Sequence, residues 1–386
     1  MWGTTLTVLP ILLAQPSPAI AQGMQFRYPL PDSGVVEVSR DVQYGAADTL
    51  TLRMDVYRHA GAAAARMPAL IFFNWAVGVQ RQHVFYTSWA RVAASKGLVA
   101  ILPDIRLETA REDFQRLVAH LVERGDRYGI DRDAIAVYAA SGNVSLALPI
   151  VQDPSMTAVK TAVMFYGTAN VTQFRRDLPL LIVRAGLDRP GLNGNQSSGI
   201  TALAARAIAQ NAPVTVVNHP FGYHAFEIAN DDAGTRDAID ETIDFVKRMT
   251  APAFRAALHA GLAEATAAAH VILGEFGEAA KAYAPLLTAR PDDARLRLAY
   301  GEALLGDRQF SVACAEFETL KGKGLGPRDL GLPAARACAQ GGDPDRAIAW
   351  LQSIPRRFLP PEIRTDAAFA TLTNRAAFRA LLDPPR

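Results

Sequence analysis

The stretch Ala134-Ile-Ala-Val-Tyr-Ala-Ala-Ser-Gly-Asn-Val144 decides how this chain folds. It opens as a short apolar run of β type, stops at a serine flanked by small residues, and gives way at Val144 to an apolar helical pattern. A strand that becomes a helix so quickly needs a sharp, strained turn, and a side chain on that turn stands clear of the backbone. A serine hydroxyl is a poor nucleophile by itself. On such a turn, however, a base can reach it, and the next backbone N–H can hold a developing oxyanion. Ser141 is therefore the candidate nucleophile and Gly142 the first candidate oxyanion donor. The plainer alternative is that Ser141 only caps the following helix. Ser145, one helical turn further on, falls inside the predicted helix.

Outward from this stretch, β-type runs alternate with helical patterns. The runs are residues 50–57, 69–73, 98–102, 134–138, 161–165, 180–184 and 214–217, separated by amphipathic stretches such as 110–127 and 201–210. The later runs are short and rich in Val, Ile, Leu and Phe, which predicts buried parallel strands in a doubly wound, mostly parallel α/β sheet. Ligands in such sheets sit at the carboxyl ends of the strands. Two further residues fall there. Asp188 follows residues 180–184 on a turn, and His224 lies in the loop His219-Pro-Phe-Gly-Tyr-His-Ala-Phe226 after residues 214–217. A serine nucleophile needs a base and an acid that fixes the base's tautomer, so the order Ser141, Asp188, His224 supplies each part. His219 directly follows the predicted strand and precedes a proline, and reads as structural.

With 386 residues the chain is long enough for two domains, each with its own core. A charged fraction of 20% and a formal net charge of +2 leave no polybasic field to attract nucleic acid. The apolar run Leu6-Thr-Val-Leu-Pro-Ile-Leu-Leu-Ala14 is too short to span a bilayer and is followed by the small-x-small pattern Ala19-Ile-Ala21. Residues 1–21 are thus expected to be an export signal, though no Lys or Arg precedes the run, with 22–250 the α/β domain and 251–386 a helical one. The two cysteines, Cys314 and Cys338, have no metal-ligand spacing and read as small buried hydrophobes. No metal or nucleotide motif is present, so no cofactor is expected.

After Thr250-Ala-Pro252 the sequence is alanine-rich and helical, and it repeats. Phe276, Ala279, Tyr283 and Leu286 recur 34 residues later as Phe310, Ala313, Phe317 and Leu320, and again as Pro344, Ala347, Leu351 and Ile354. The period resembles a tetratricopeptide array, in which small residues let paired helices approach and aromatics fill the gap beside them. That resemblance implies an all-α repeat domain with a groove for a protein or peptide partner. The tail through Asp366, Phe369 and Phe378 is expected to form a closing helix.

Residues from about Asp55 to Met249 resemble the α/β-hydrolase superfamily, particularly its dienelactone hydrolase and small carboxylesterase branch. The likeness is carried by Met54-Asp-Val-Tyr-Arg58, Pro103-Asp-Ile-Arg-Leu107, Tyr128-Gly-Ile-Asp-Arg-Asp133 and Gly222-Tyr-His-Ala-Phe226. It implies Ser141 as nucleophile, His224 as general base and Asp188 as its orienting acid. Where the family often has H-G-G-G, this chain has Asn74-Trp75-Ala76-Val77-Gly78, so the second oxyanion N–H is expected from Trp75 or Ala76. Asn74, Trp75, Asn143 and Tyr223 are expected to line the substrate pocket. The usual G-x-S-x-G is altered to Ala139-Ala140-Ser141-Gly142-Asn143, and Asn143 replaces a glycine that normally allows close helix packing. The expected function is hydrolysis of a small carboxylic ester or lactone through an acyl-enzyme. Two alternatives stay open: a peptidase or amidase of the same fold, and an inactive α/β scaffold whose helical groove binds a partner.

Overall fold

The computed structural model describes residues 25–47, 50–61, 66–74, 79–188 and 196–382. The expected export signal and the expected oxyanion residues Trp75 and Ala76 lie outside the described residues. The chain divides into two compact units, Met1–Arg255 and Ala256–Arg386.

The first unit carries strands β1 (Val36–Ala47), β2 (Leu50–His59), β3 (Met67–Phe72), β4 (Val99–Pro103), β5 (Ile130–Ala140), β6 (Val159–Phe165), β7 (Leu180–Ala185) and β8 (Val214–His219). They form one sheet in the order β1-β2-β4-β3-β5-β6-β7-β8. β2 runs antiparallel to its neighbours β1 and β4, and the strands from β4 to β8 are parallel. This is the doubly wound, mostly parallel α/β sheet that the alternating runs predicted.

Alternation along each strand feeds two cores. In β5, Ile135, Val137 and Ala139 enter one hydrophobic cluster, while Ala136, Tyr138 and Ala140 enter the other. The first face is covered by α3 (Ala110–Arg124), α4 (Val144–Val151) and α5 (Gln196–Ala209), and the second by α2 (Val84–Ser95) and α7 (Ala233–Thr250), with α1 (Val79–Gln82) and α6 (Phe226–Ala229) as single turns. Burial on both faces explains why the central runs are continuously apolar.

Two strands depart from the sequence reading. β1 matches none of the apolar runs, because as an edge strand it carries polar residues through VEVSRDVQYGAA. β8 is parallel as expected but is not a buried strand. It forms the opposite edge, Val216 is exposed, and only His219 is fully buried.

The second unit is built of α8 (Pro252–Ile272, whose first turn belongs to the first unit), α9 (Phe276–Ala289), α10 (Ala294–Gly306), α11 (Phe310–Glu318), α12 (Pro327–Gln340), α13 (Pro344–Ser353) and α14 (Ala376–Leu382). Helices α9, α11 and α13 begin at Phe276, Phe310 and Pro344, so the 34-residue spacing is also a spacing of helix starts. Ala279, Tyr283, Ala313, Phe317, Ala347 and Leu351 are all buried in one core. Gly301 of α10 permits its close crossing with α11, since a Cβ there would lie 2.7 Å from the Phe317 ring. The tail is not one closing helix. It is a series of short 3₁₀ turns, of which Ala367–Leu372 is the last, followed by α14, and these bury Phe369, Leu372 and Phe378. Cys314 and Cys338 are not free hydrophobes either: the α11–α12 crossing brings them together in a disulfide.

Candidate active site

β5 ends at Ala140 in extended geometry, and Ser141 then adopts φ 55°, a left-handed conformation that an L-residue other than glycine seldom takes. Holding it there costs on the order of 1–3 kcal/mol, which the surrounding structure must supply. The support is visible across the turn. Gly167, just beyond β6, lies so close that a Cβ would stand 2.3 Å from the Ser141 carbonyl oxygen and 2.5 Å from Val144 Cγ2. Helix α4 then starts at Val144, and the turn presents the Ser141 hydroxyl at the carboxyl end of the sheet.

Parallel register brings the other residues to the same end. Ala185 pairs with His219 across β7 and β8, and beyond them Gly186 N–H donates to the His219 carbonyl at 2.8 Å and Leu187 N–H to the Gly222 carbonyl at 2.9 Å. The acid's turn and the histidine's loop are thereby tied to each other. Asn230 fixes the loop from its far side: its Oδ1 accepts from Tyr223 N–H at 2.9 Å and its Nδ2 donates to the Phe221 carbonyl at 3.1 Å.

Ser141 Oγ is 2.8 Å from His224 Nε2, and His224 Nδ1 is 2.9 Å from Asp188 Oδ2. A carboxylate can only accept, so Nδ1 carries the proton and Nε2 presents a lone pair to the serine hydroxyl. The Asp188 side chain is 5% exposed, whereas the His224 side chain is 40% exposed. The arrangement thus has a buried anchor and an accessible working end. It can draw the proton from Ser141 as the oxygen attacks and return it to a leaving group.

The remaining expected residues are placed as follows. Gly142 is exposed, and a Cβ built on it would meet nothing within 4 Å. Asn143 does not face solvent: it is buried against α2, and its Nδ2 donates to the Tyr86 hydroxyl at 3.1 Å. Asn74 is wholly buried, with Nδ2 donating to the Phe72 and Pro103 carbonyls at 3.3 and 3.0 Å. It ties the end of β3 to the end of β4, where a pocket wall was expected. Tyr223 is half exposed beside His224, with Phe221 and Leu187 also exposed on the two tied loops. Ser145 spends its hydroxyl on the Gly142 carbonyl at 2.7 Å. His219 is buried, with Nε2 3.2 Å from Thr235 Oγ1 and 3.2 Å from Asp232 Oδ1.

One group at this end of the sheet escapes the sequence reading. Glu227, three residues after His224, is completely buried and accepts hydrogen bonds from Trp89 Nε1 at 3.3 Å, Tyr138 Oη at 2.8 Å and Tyr166 Oη at 2.9 Å. Burial pushes the Glu227 carboxyl upward, against the opposing pull of these donors. Burial also holds the Tyr138 and Tyr166 hydroxyls well above their ordinary range, and raises Tyr86 to about 12. The available signal was Tyr138 closing one apolar run and Tyr166 directly following another, because a buried phenol needs a polar partner.

No protein-family model matches the chain, and no curated protein matches it. Among solved structures the chain is similar to an esterase of Rhizomucor miehei (15% identity, 60% of this chain and 87% of that one, TM-score 0.48). It is similar also to brefeldin A esterase, described as a bacterial homologue of human hormone-sensitive lipase (13% identity, 60% and 82% covered, TM-score 0.49). A third is an esterase of Pyrobaculum calidifontis (17% identity, 60% and 88% covered, TM-score 0.45). Among the described residues no group of three or more His, Cys, Asp or Glu could hold a metal ion, and no helix is long and apolar enough to cross a membrane.

Proposed function

We propose that the first unit is a serine hydrolase of carboxylic esters. The observation that carries this reading is the continuous hydrogen-bonded line Ser141–His224–Asp188, with steps of 2.8 and 2.9 Å, ending on a serine held in a left-handed turn. In the reaction, Ser141 Oγ attacks the ester carbonyl while His224 Nε2 takes its proton, and Asp188 steadies the imidazolium. The oxyanion is held by the Gly142 N–H together with a second N–H, assigned to Trp75 or Ala76. His224 gives its proton to the departing alkoxide, leaving an acyl group on Ser141. Water, deprotonated by His224, then releases the acid and restores the serine.

The exposed Leu187, Phe221 and Tyr223 around His224 favour esters or lactones with an apolar portion. The helical unit is assigned as a tetratricopeptide-like array that binds a protein or peptide segment, on the strength of its 34-residue helix period. The Cys314–Cys338 disulfide favours an oxidising compartment and so supports export.

The test is reaction of the folded protein with a fluorophosphonate probe, followed by peptide mapping and hydrolysis of a p-nitrophenyl ester series. Modification at Ser141 is expected, lost in Ser141→Ala and retained in Ser145→Ala. Absence of labelling in folded protein would overturn the hydrolase reading and leave the inactive scaffold. Turnover of anilides at rates matching the esters would move the assignment to an amidase.

A further inference from the structure

We infer that Glu227 is a positioning residue for His224, acting through the Tyr166 ring. The inference rests on the hydrolase reading above. Ala225, with φ 56°, turns the chain sharply after His224, so the short helix α6 runs inward and carries Glu227 into the second core. There its carboxyl gathers donors from three separate elements: Trp89 of α2, Tyr138 of β5, three residues before Ser141, and Tyr166 at the end of β6.

Tyr166 is the connection to the reacting groups. Its ring centroid is 4.8 Å from that of His224, and the Tyr166 backbone is itself held at φ 33°. The next residue is Gly167, which abuts the Ser141 carbonyl. The Tyr166–Gly167 pair therefore touches both halves of the serine–histidine couple, and the hydroxyl that fixes its ring is anchored on Glu227. Tyr138 shares the same carboxyl, but its ring packs on Phe72, Trp89 and Phe165 instead.

A carboxylate suits this place for a chemical reason. Trp89 Nε1 can only donate, and both tyrosine hydroxyls donate here, so three donors converge on one side chain. Two acceptor oxygens satisfy them; an amide of the same shape offers one oxygen and an NH₂ that opposes one of the donors. A purely structural network would treat Tyr138 and Tyr166 as equivalent. A positioning role makes them unequal, because only one of them bears on the imidazole.

The experiment compares wild type, Glu227→Gln, Tyr166→Phe, Tyr138→Phe and the Glu227→Gln/Tyr166→Phe double variant. Each is checked for folding by thermal melting. Two readouts follow: the rate of fluorophosphonate labelling at Ser141, and the low-field proton resonance of the His224 Nδ1–H bonded to Asp188. Displacing a catalytic group by about 1 Å can cost roughly 100-fold, so a fall of about 10- to 100-fold is expected for Glu227→Gln. Tyr166→Phe should fall in the same direction with a shifted resonance, the double variant should be no worse than the poorer single, and Tyr138→Phe should stay near wild type. Equal behaviour of Tyr138→Phe and Tyr166→Phe, or unchanged rate and resonance in folded Glu227→Gln, would overturn the inference. Should Glu227→Gln not fold, the two tyrosine variants decide alone. If wild type itself fails to label, the hydrolase reading falls, and the resonance separately reports whether Glu227 and Tyr166 set the imidazole.

Discussion

Gly167→Ala is the sharpest probe of how the serine turn is held. The added methyl would stand 2.3 Å from the Ser141 carbonyl oxygen, 2.5 Å from Val144 Cγ2 and 2.7 Å from Val144 Cβ, whereas ordinary contact begins near 3.4 Å. Backbone and helix α4 must therefore yield by about 1 Å, and neither obstacle is the free end of a flexible side chain. Gly167 is absent from the positive-φ residues, so alanine brings crowding without a torsional penalty. Crowding of this kind costs about 1–3 kcal/mol, which for a unit of this size lowers the melting temperature by roughly 3–10 °C. The same 1 Å, transmitted to Oγ, predicts a labelling rate reduced by roughly 100-fold. The assay pairs thermal melting with the second-order rate of fluorophosphonate reaction well below the melt. Gly142→Ala serves as the melting control, since its Cβ would meet nothing within 4 Å. A Gly167→Ala protein that melts and labels as wild type would refute the account of the turn.

Three further outcomes follow from the same physics. Arg81 is buried, reaching Asp104 at 2.7 Å, Asp55 at 2.6 Å and Asp41 at 3.0 Å; Arg81→Met should lose about 3–5 kcal/mol by stranding buried carboxylates, measured by urea unfolding, and adding Asp55→Asn and Asp104→Asn should recover part of it. Removing the disulfide with Cys314→Ala/Cys338→Ala frees a loop with a sequence separation of 24, for which chain entropy predicts a loss of about 3–4 kcal/mol, read as earlier melting of the helical unit while Ser141 labelling persists. Asp177 is held below the usual carboxylate range chiefly by its hydrogen bond from Arg175, against the effect of burial. A lowered native value means that its stabilisation is complete above the ordinary aspartate pKa of about 3.9 and fades as pH falls through the native value, so Asp177→Asn should flatten the acid limb of a stability–pH curve.

The sheet was legible because its central strands are apolar on both sides, and the three candidate residues follow the ends of β5, β7 and β8. Ser141, Asp188 and His224 could be proposed from the sequence for that reason, and the parallel register of β5 through β8 brings them within hydrogen-bond distance. Edge strands carry no such signature. β1 is polar, and β8, read as buried, shows Val216 to solvent. Asn74 and Asn143 illustrate a second limit: their neighbours in sequence suggested a pocket, but their amides are directed to Pro103 and Tyr86, residues distant in the chain. Glu227 is the same problem in stronger form, since its three donors come from positions 138, 61 and 89 residues away. The disulfide was hidden for a different reason, as only the helix crossing decides whether two buried cysteines meet.

The left-handed torsion at Ser141 also sets activity against durability. Glycine occupies that conformation without the steric penalty of a side chain, whereas serine and alanine both bear it. Between two equally inactive replacements, Ser141→Gly should consequently outlast Ser141→Ala on heating, despite glycine's greater freedom in the unfolded chain. The position is one where drift toward a sturdier protein leads away from a reactive one, and the side chain that performs the proposed chemistry is kept at the expense of the fold that displays it.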